Sequence, residues 1–120
     1  MTPPQLAHKL VLVVEDDYLV AMDIVRALER AGAEVIGPAP AVEAALDALE
    51  RTVPDGAILD INLGGEMAFP VADALLARGV PFVFATGYDA QVIPSRFIHV
   101  KRCEKPMASE QICAALFECD

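Results

Sequence analysis

Five short apolar runs, each broken off by polar or glycine-bearing residues and followed by a helical stretch, constrain this chain more than any other feature. Residues 10–14, 33–37, 57–59, 80–85 and a stretch from 97 to about 103 read as strands. The runs at 10–14 and 57–59 are unbroken rather than alternating, as expected for strands buried on both faces. Between the strands, apolar residues recur at helical spacing. Val20, Ile24, Leu28 and Ala31 mark a first helix, ended by Gly32 as a C-terminal cap. Val42, Ala45, Leu46 and Leu49 mark a second, and Val71, Leu75 and Leu76 a third, stopped by Gly79. Ile112, Ala115, Leu116 and Cys119 form the inner stripe of the last helix, with Ser109 as its cap. Pro38 and Pro40 close the second strand, and Pro81 sits near the start of the fourth, where a missing donor is tolerated.

Strands alternating with helices of this length imply right-handed crossovers and an α/β fold. The expected architecture is a flavodoxin-like, doubly wound, five-stranded parallel sheet in the order 2-1-3-4-5. One link in the pattern is weak. Between residues 87 and 96, Gly87, Pro94 and a shortage of periodic apolar positions predict a weak or short fourth helix. Residues 1–9, with Pro3 and Pro4, read as a flexible lead-in, and residues 10–120 as one domain.

Composition narrows the function. Asp and Glu number 18 against 9 Lys and Arg, a net charge of -9, which speaks against a nucleic-acid surface. No apolar run reaches the length of a membrane span, and the N-terminus lacks the pattern of a signal peptide. Cys103, Cys113 and Cys119 have no zinc-type spacing, and Cys113 and Cys119 read as packing residues in the last helix. The chain is therefore expected to be cytoplasmic and reduced.

In an open parallel sheet, chemistry sits just outside the carboxyl ends of the strands. The third strand ends on Asp60 and opens into Ile61-Asn62-Leu63-Gly64-Gly65. The order 2-1-3-4-5 would bring Glu15 and Asp16, Asp60, Thr86 and Lys105 to one edge. Singly, each has a bland reading: helix-terminal acids, a turn residue, a solvated lysine. Together they form a chemical set. Carboxylates at close range repel and call for a cation, and oxygen-only ligands suit a hard one such as Mg2+. An Asp between a divalent ion and a lysine is placed to attack phosphorus, since the two cations offset charge on the phosphoryl oxygens. The product would be an aspartyl phosphate on Asp60, with Thr86 donating a hydrogen bond to it.

Val13-Val14-Glu15-Asp16-Asp17, Ile58-Leu59-Asp60-Ile61-Asn62, Thr86 and Lys105-Pro106 together resemble a response-regulator receiver domain, over essentially the whole chain. The run from Pro81 to Tyr88 resembles the FAT GUY subgroup, mostly single-domain regulators. The resemblance implies Asp60 as phosphoacceptor, Thr86 as switch hydroxyl and Lys105 as the lysine that pairs with the phosphate. It implies Mg2+ held by Asp16 directly, by Glu15 through water, by Asp60 and by the backbone carbonyl of Asn62. Asp17 stays outside this set. Phosphate would come from a sensor histidine kinase or a histidine phosphotransfer protein, with an unknown protein downstream, in a two-component phosphorelay. Such a chain is a phosphoacceptor that assists its own phosphorylation and dephosphorylation rather than an enzyme. Three features depart from the family pattern: Arg102 stands where an aromatic is usual, which leaves open whether Tyr88 takes that part; Met107 stands where Phe is common; and residues 87–96 are poor in helical pattern. A partner face would include Tyr88, Ile93, Phe97 and Arg102, with Phe97 equally open to a place in the core.

Three other functions compete. An aspartate-nucleophile phosphohydrolase wants a second Asp two residues after Asp60, where Asn62 stands, and a cap domain. A flavin or nucleotide domain of this fold needs a phosphate-cradling loop after the first strand, where Glu15-Asp16-Asp17 would repel it. A degenerate receiver that only binds partners is opposed by intact Asp60 and Lys105.

Overall fold

The structure is a computed structural model that describes residues 6–86, 93–105 and 108–117, without the side chains of Thr86 and Ser109. Five parallel strands form the main sheet: β1 (Leu10–Val14), β2 (Glu34–Ala39), β3 (Gly56–Asp60), β6 (Phe82–Thr86) and β7 (Arg102–Glu104). Two further strands, β4 (Asn62–Leu63) and β5 (Glu66–Met67), make a separate antiparallel hairpin. The sheet order is β2-β1-β3-β6-β7. With the hairpin set aside, this is the expected 2-1-3-4-5 order of a doubly wound flavodoxin-like fold. Four α-helices flank it among the described residues: α1 (Tyr18–Arg30), α2 (Val42–Arg51), α3 (Phe69–Ala77) and α4 (Ser109–Phe117).

The period-two alternation of each strand divides the core into two layers. Leu12, Val14, Ala57, Leu59, Phe82 and Phe84 face one cluster with α2 and α3. Val11, Val13, Ile58, Val83 and Ala85 face the other with α1 and α4. Both faces are covered, so the central strands are apolar throughout, as the unbroken runs require. Phe69, Phe82, Phe84 and Phe97 form an aromatic group in the first layer, with Phe84 edge-on to Phe97 at 5.8 Å.

Several expectations are corrected. The second strand does not close at Pro38 but runs on to Ala39. It is an edge strand, and the register against β1 shifts between Leu12 and Val14, so the proline's missing donor disturbs the ladder little. Gly37 is required there, because a Cβ would lie 2.9 Å from the Val13 carbonyl oxygen and its φ is +98°. The fifth strand does not begin at Phe97. Residues Ser95–Phe97 form a 3-10 turn, and Phe97 is fully buried in the aromatic group. Burying a Phe side chain there outweighs the extended preference of an apolar run. Of the segment 87–96, expected as a weak or short fourth helix, residues 93–96 are described, and the last two of them open this turn; residues 87–92 lie outside the described residues. The lead-in is not loose where it is described. Leu6 is buried in the second layer, and its N–H donates to the Ala31 carbonyl at 2.8 Å. Cys113 is buried in the second layer, as a packing residue should be. No helix among the described residues is long and apolar enough to cross a membrane.

Candidate functional site

Strand register assembles the site. Val14 pairs with Leu59, so Glu15 and Asp16 emerge beside Asp60, the last residue of β3. Asp60 pairs with Ala85 on β6, and Thr86 closes that strand opposite Glu104, one residue before Lys105. Four strand ends thus meet at the carboxyl edge of the sheet. The backbone of Thr86 is where the sequence reading puts it; its side chain is not described.

Lys105 is the hub. Its Nζ lies 3.5 Å from Asp60 Oδ1 and hydrogen-bonds to Glu15 Oε1. One cation just after β7 therefore bridges a carboxylate just after β1 and another at the end of β3. Glu15 is only 3% exposed, while Asp16 is exposed and Asp60 half-buried. Burial lifts the Glu15 carboxyl from 4.5 to about 7, against the opposing pull of Lys105 and of the Asp17 N–H, with neighbouring Asp60 raising it further. The Asp17 N–H donates to Glu15 Oε2 at 3.1 Å. Asp17 itself turns away and caps α1, its Oδ1 accepting from the Leu19 and Val20 N–H groups at 3.0 and 3.2 Å. Of the three consecutive acids, two face the site and one starts the helix.

Glu15, Asp16 and Asp60 each present a carboxylate oxygen, and these oxygens all lie within 4.8 Å of one another. Three carboxylates held that close carry more negative charge than one lysine offsets. The donor set is oxygen only, which fits a hard divalent cation.

The hairpin after β3 is what the sequence reading missed. Gly64 and Gly65 have φ of +66° and +99°, the pair of left-handed residues that a tight two-residue hairpin turn needs. The Gly65 N–H donates to Asn62 Oδ1 at 2.7 Å. Leu63 pairs with Glu66 next to the turn, and the Ala68 N–H donates to the Ile61 carbonyl at 2.8 Å. Asn62 falls between these hydrogen-bonded positions, so its carbonyl turns away from the ladder. Adjacent glycines flanked by residues of alternating polarity were the available signal. The hairpin also brings Gly64 against the carboxylates: a Cβ there would stand 3.4 Å from Asp16 Oδ2. From β5, Glu66 Oε1 accepts from the Val42 N–H at 3.4 Å, at the start of α2, where Ala41 offers no side-chain cap.

The expected partner face changes. Phe97 belongs to the core, and Ile93 packs partly buried against it. Arg102 is exposed on β7, and among the described residues of this region Ile98 is the large apolar side chain shown to solvent, 79% exposed. Tyr88 and Met107 lie outside the described residues. A bidentate pair, Arg96 to Asp73 at 3.0 Å for both bonds, ties the 3-10 turn to α3.

A doubly wound sheet with an acidic cluster and a lysine at its carboxyl edge defines a receiver-type signalling domain. The chain belongs to the response regulator receiver domain family, whose profile matches residues 11–117. It is similar to SdrG from Sphingomonas melonis Fr1, with 40% identity, a TM-score of 0.79, and 96% of this chain and 95% of that one covered. The BeF3-activated conformation of SdrG from Pseudomonas melonis Fr1 matches at 39% identity and a TM-score of 0.73, with the same coverage. Among curated proteins, the sensory transduction protein LytT of Bacillus anthracis is 42% identical over 82 residues, covering 66% of this chain. This chain spans 33% of the length of that relative.

Proposed function

We propose that this chain is a phosphoacceptor receiver domain that takes a phosphoryl group from the phosphohistidine of a sensor kinase or histidine phosphotransfer protein onto Asp60. The observation that carries this reading is the position of Asp60, 3.5 Å from the Lys105 ammonium and within the carboxylate cluster, at the end of a buried strand. A carboxylate so placed is oriented and half-shielded from water. Its oxygen attacks phosphorus, the bond from phosphorus to the donor imidazole breaks, and the imidazole keeps the electron pair and takes a proton from water. Lys105 offsets charge on the phosphoryl oxygens. Thr86, at the end of β6, is the proposed hydrogen-bond donor to the phosphoryl group.

Asp16, Asp60, the Asn62 carbonyl and, through water, Glu15 would hold Mg2+. When bound, the ion supplies positive charge against the transferring phosphoryl oxygens. The likeness to SdrG supports the reading, since that protein has a BeF3-activated conformation and BeF3 mimics a phosphoryl group on a carboxylate. Signalling would follow by protein contact or by passing the phosphate on. The FAT GUY subgroup and a cytoplasmic location are part of the proposal. The location rests on the need for a phosphohistidine donor, not on the cysteines.

Intact mass spectrometry after incubation with Mg2+ and acetyl phosphate tests it. A phosphate-sized gain in the parent, absent from Asp60→Asn and absent with EDTA, is expected. No gain from acetyl phosphate or from a phosphohistidine donor would instead leave a receiver that only binds partners.

A further inference from the structure

The end of the sheet opposite the carboxylates carries a second concavity. A groove of about 470 Å³ lies between the end of α3, the start of β6, the stretch before β7 and the last turn of α4. Leu76, Val80, Pro81 and Phe117 contribute apolar walls, and Leu76 is 41% exposed. The titratable side chains that line it are His99 and Lys101, both exposed. A further lysine stands at the edge: Lys9 Nζ is 5.1 Å from the centroid of the Phe117 ring. Among the described residues that line the groove none is a carboxylate, although acids outnumber bases 18 to 9 in the chain; Glu118 and Asp120, which follow Phe117 in the sequence, lie outside the described residues. A surface so acidic repels acidic ligands almost everywhere, so an apolar groove rimmed by cations is matched to one kind of occupant.

We infer that this groove binds an acidic peptide segment of a partner protein, with an apolar side chain against Leu76, Pro81 and Phe117 and carboxylates near Lys101 and Lys9. The groove is remote from Asp60. Strand β6 starts at Phe82 in the groove wall and ends at Thr86 beside the carboxylates, a span of roughly 13 Å at the usual rise of a strand. Both ends can therefore be occupied together. The inference goes beyond the phosphoacceptor reading and does not depend on it.

The test uses the full chain and a dye-labelled peptide of alternating Asp or Glu with Leu or Phe, beside the same peptide with Asn and Gln. Fluorescence anisotropy is expected to show saturable binding that weakens about tenfold or more in Lys101→Glu, in Leu76→Ser and with the neutral peptide, and that salt reduces. Amide chemical shifts should change at residues 76–82, 99–101 and 115–117. Asp60→Asn should bind as the parent does, so a failed phosphoacceptor reading leaves this one standing. Equal binding of acidic and neutral peptides, no loss in Lys101→Glu, or shifts centred on Glu15 and Asp60 would each overturn the inference. So would sedimentation showing that the groove is closed between two copies of the chain.

Discussion

Lys105 follows β7 and Asp60 ends β3, yet the ammonium stands 3.5 Å from the carboxylate and also holds Glu15. Replacing Lys105 by Ala leaves three clustered carboxylates without their resident cation. Phosphorylation of Asp60 by acetyl phosphate should slow by about tenfold or more, equivalent to at least ~1.4 kcal/mol of transition-state stabilisation. The initial rate of mass gain at fixed Mg2+ reads it. An unchanged rate would remove Lys105 from the proposed chemistry.

Glu15 makes metal-free stability depend on pH. Its carboxyl titrates at about 7 in the folded chain against 4.5 for the ordinary group. The folded state therefore favours the protonated form. That contribution is complete below about 4.5 and is lost as pH rises through about 7. Glu15→Gln should be more stable than the parent above neutrality in EDTA, by about 1–3 kcal/mol, with the gain fading toward acid pH. Urea unfolding across that range checks it. A variant less stable than the parent at high pH would show that the Lys105 contact outweighs burial.

Asp17 separates helix capping from metal binding. Its carboxylate caps α1 through the Leu19 and Val20 N–H groups. Asp17→Ala should cost about 1 kcal/mol of stability. Its Mg2+ affinity, followed by calorimetry, should stay within roughly twofold of the parent, because Asp17 lies outside the carboxylate cluster. A large loss of affinity would place Asp17 among the ligands.

Gly64 and Gly65 share a left-handed backbone but not a neighbourhood. Alanine at either costs about 1–2 kcal/mol for its left-handed φ. Only at Gly64 would the new Cβ meet Asp16 Oδ2, at 3.4 Å; at Gly65 it meets nothing within 4 Å. Gly64→Ala should therefore weaken Mg2+ binding more than Gly65→Ala at similar stability. Equal Mg2+ affinities would mean that the hairpin tip does not shape the site.

The sequence alone determined the sheet and its chemical edge. Unbroken apolar runs of strand length, alternating with helical periodicity, admit few topologies; crossover handedness leaves a handful of strand orders, of which the expected 2-1-3-4-5 is the one observed. With that order, Glu15, Asp16, Asp60 and Lys105 had to meet, because each stands where a strand ends. Tertiary structure alone decided what local pattern leaves open. Phe97 reads as the start of a strand, yet the Phe69, Phe82 and Phe84 rings draw it into the core and curl its backbone into a 3-10 turn. Glu15, Asp16 and Asp17 are chemically alike in sequence; their parts diverge because β1 ends under Lys105 while α1 begins one step later. The shift of the Glu15 carboxyl arises from burial and from charges on other strands, which no local pattern of residues encodes.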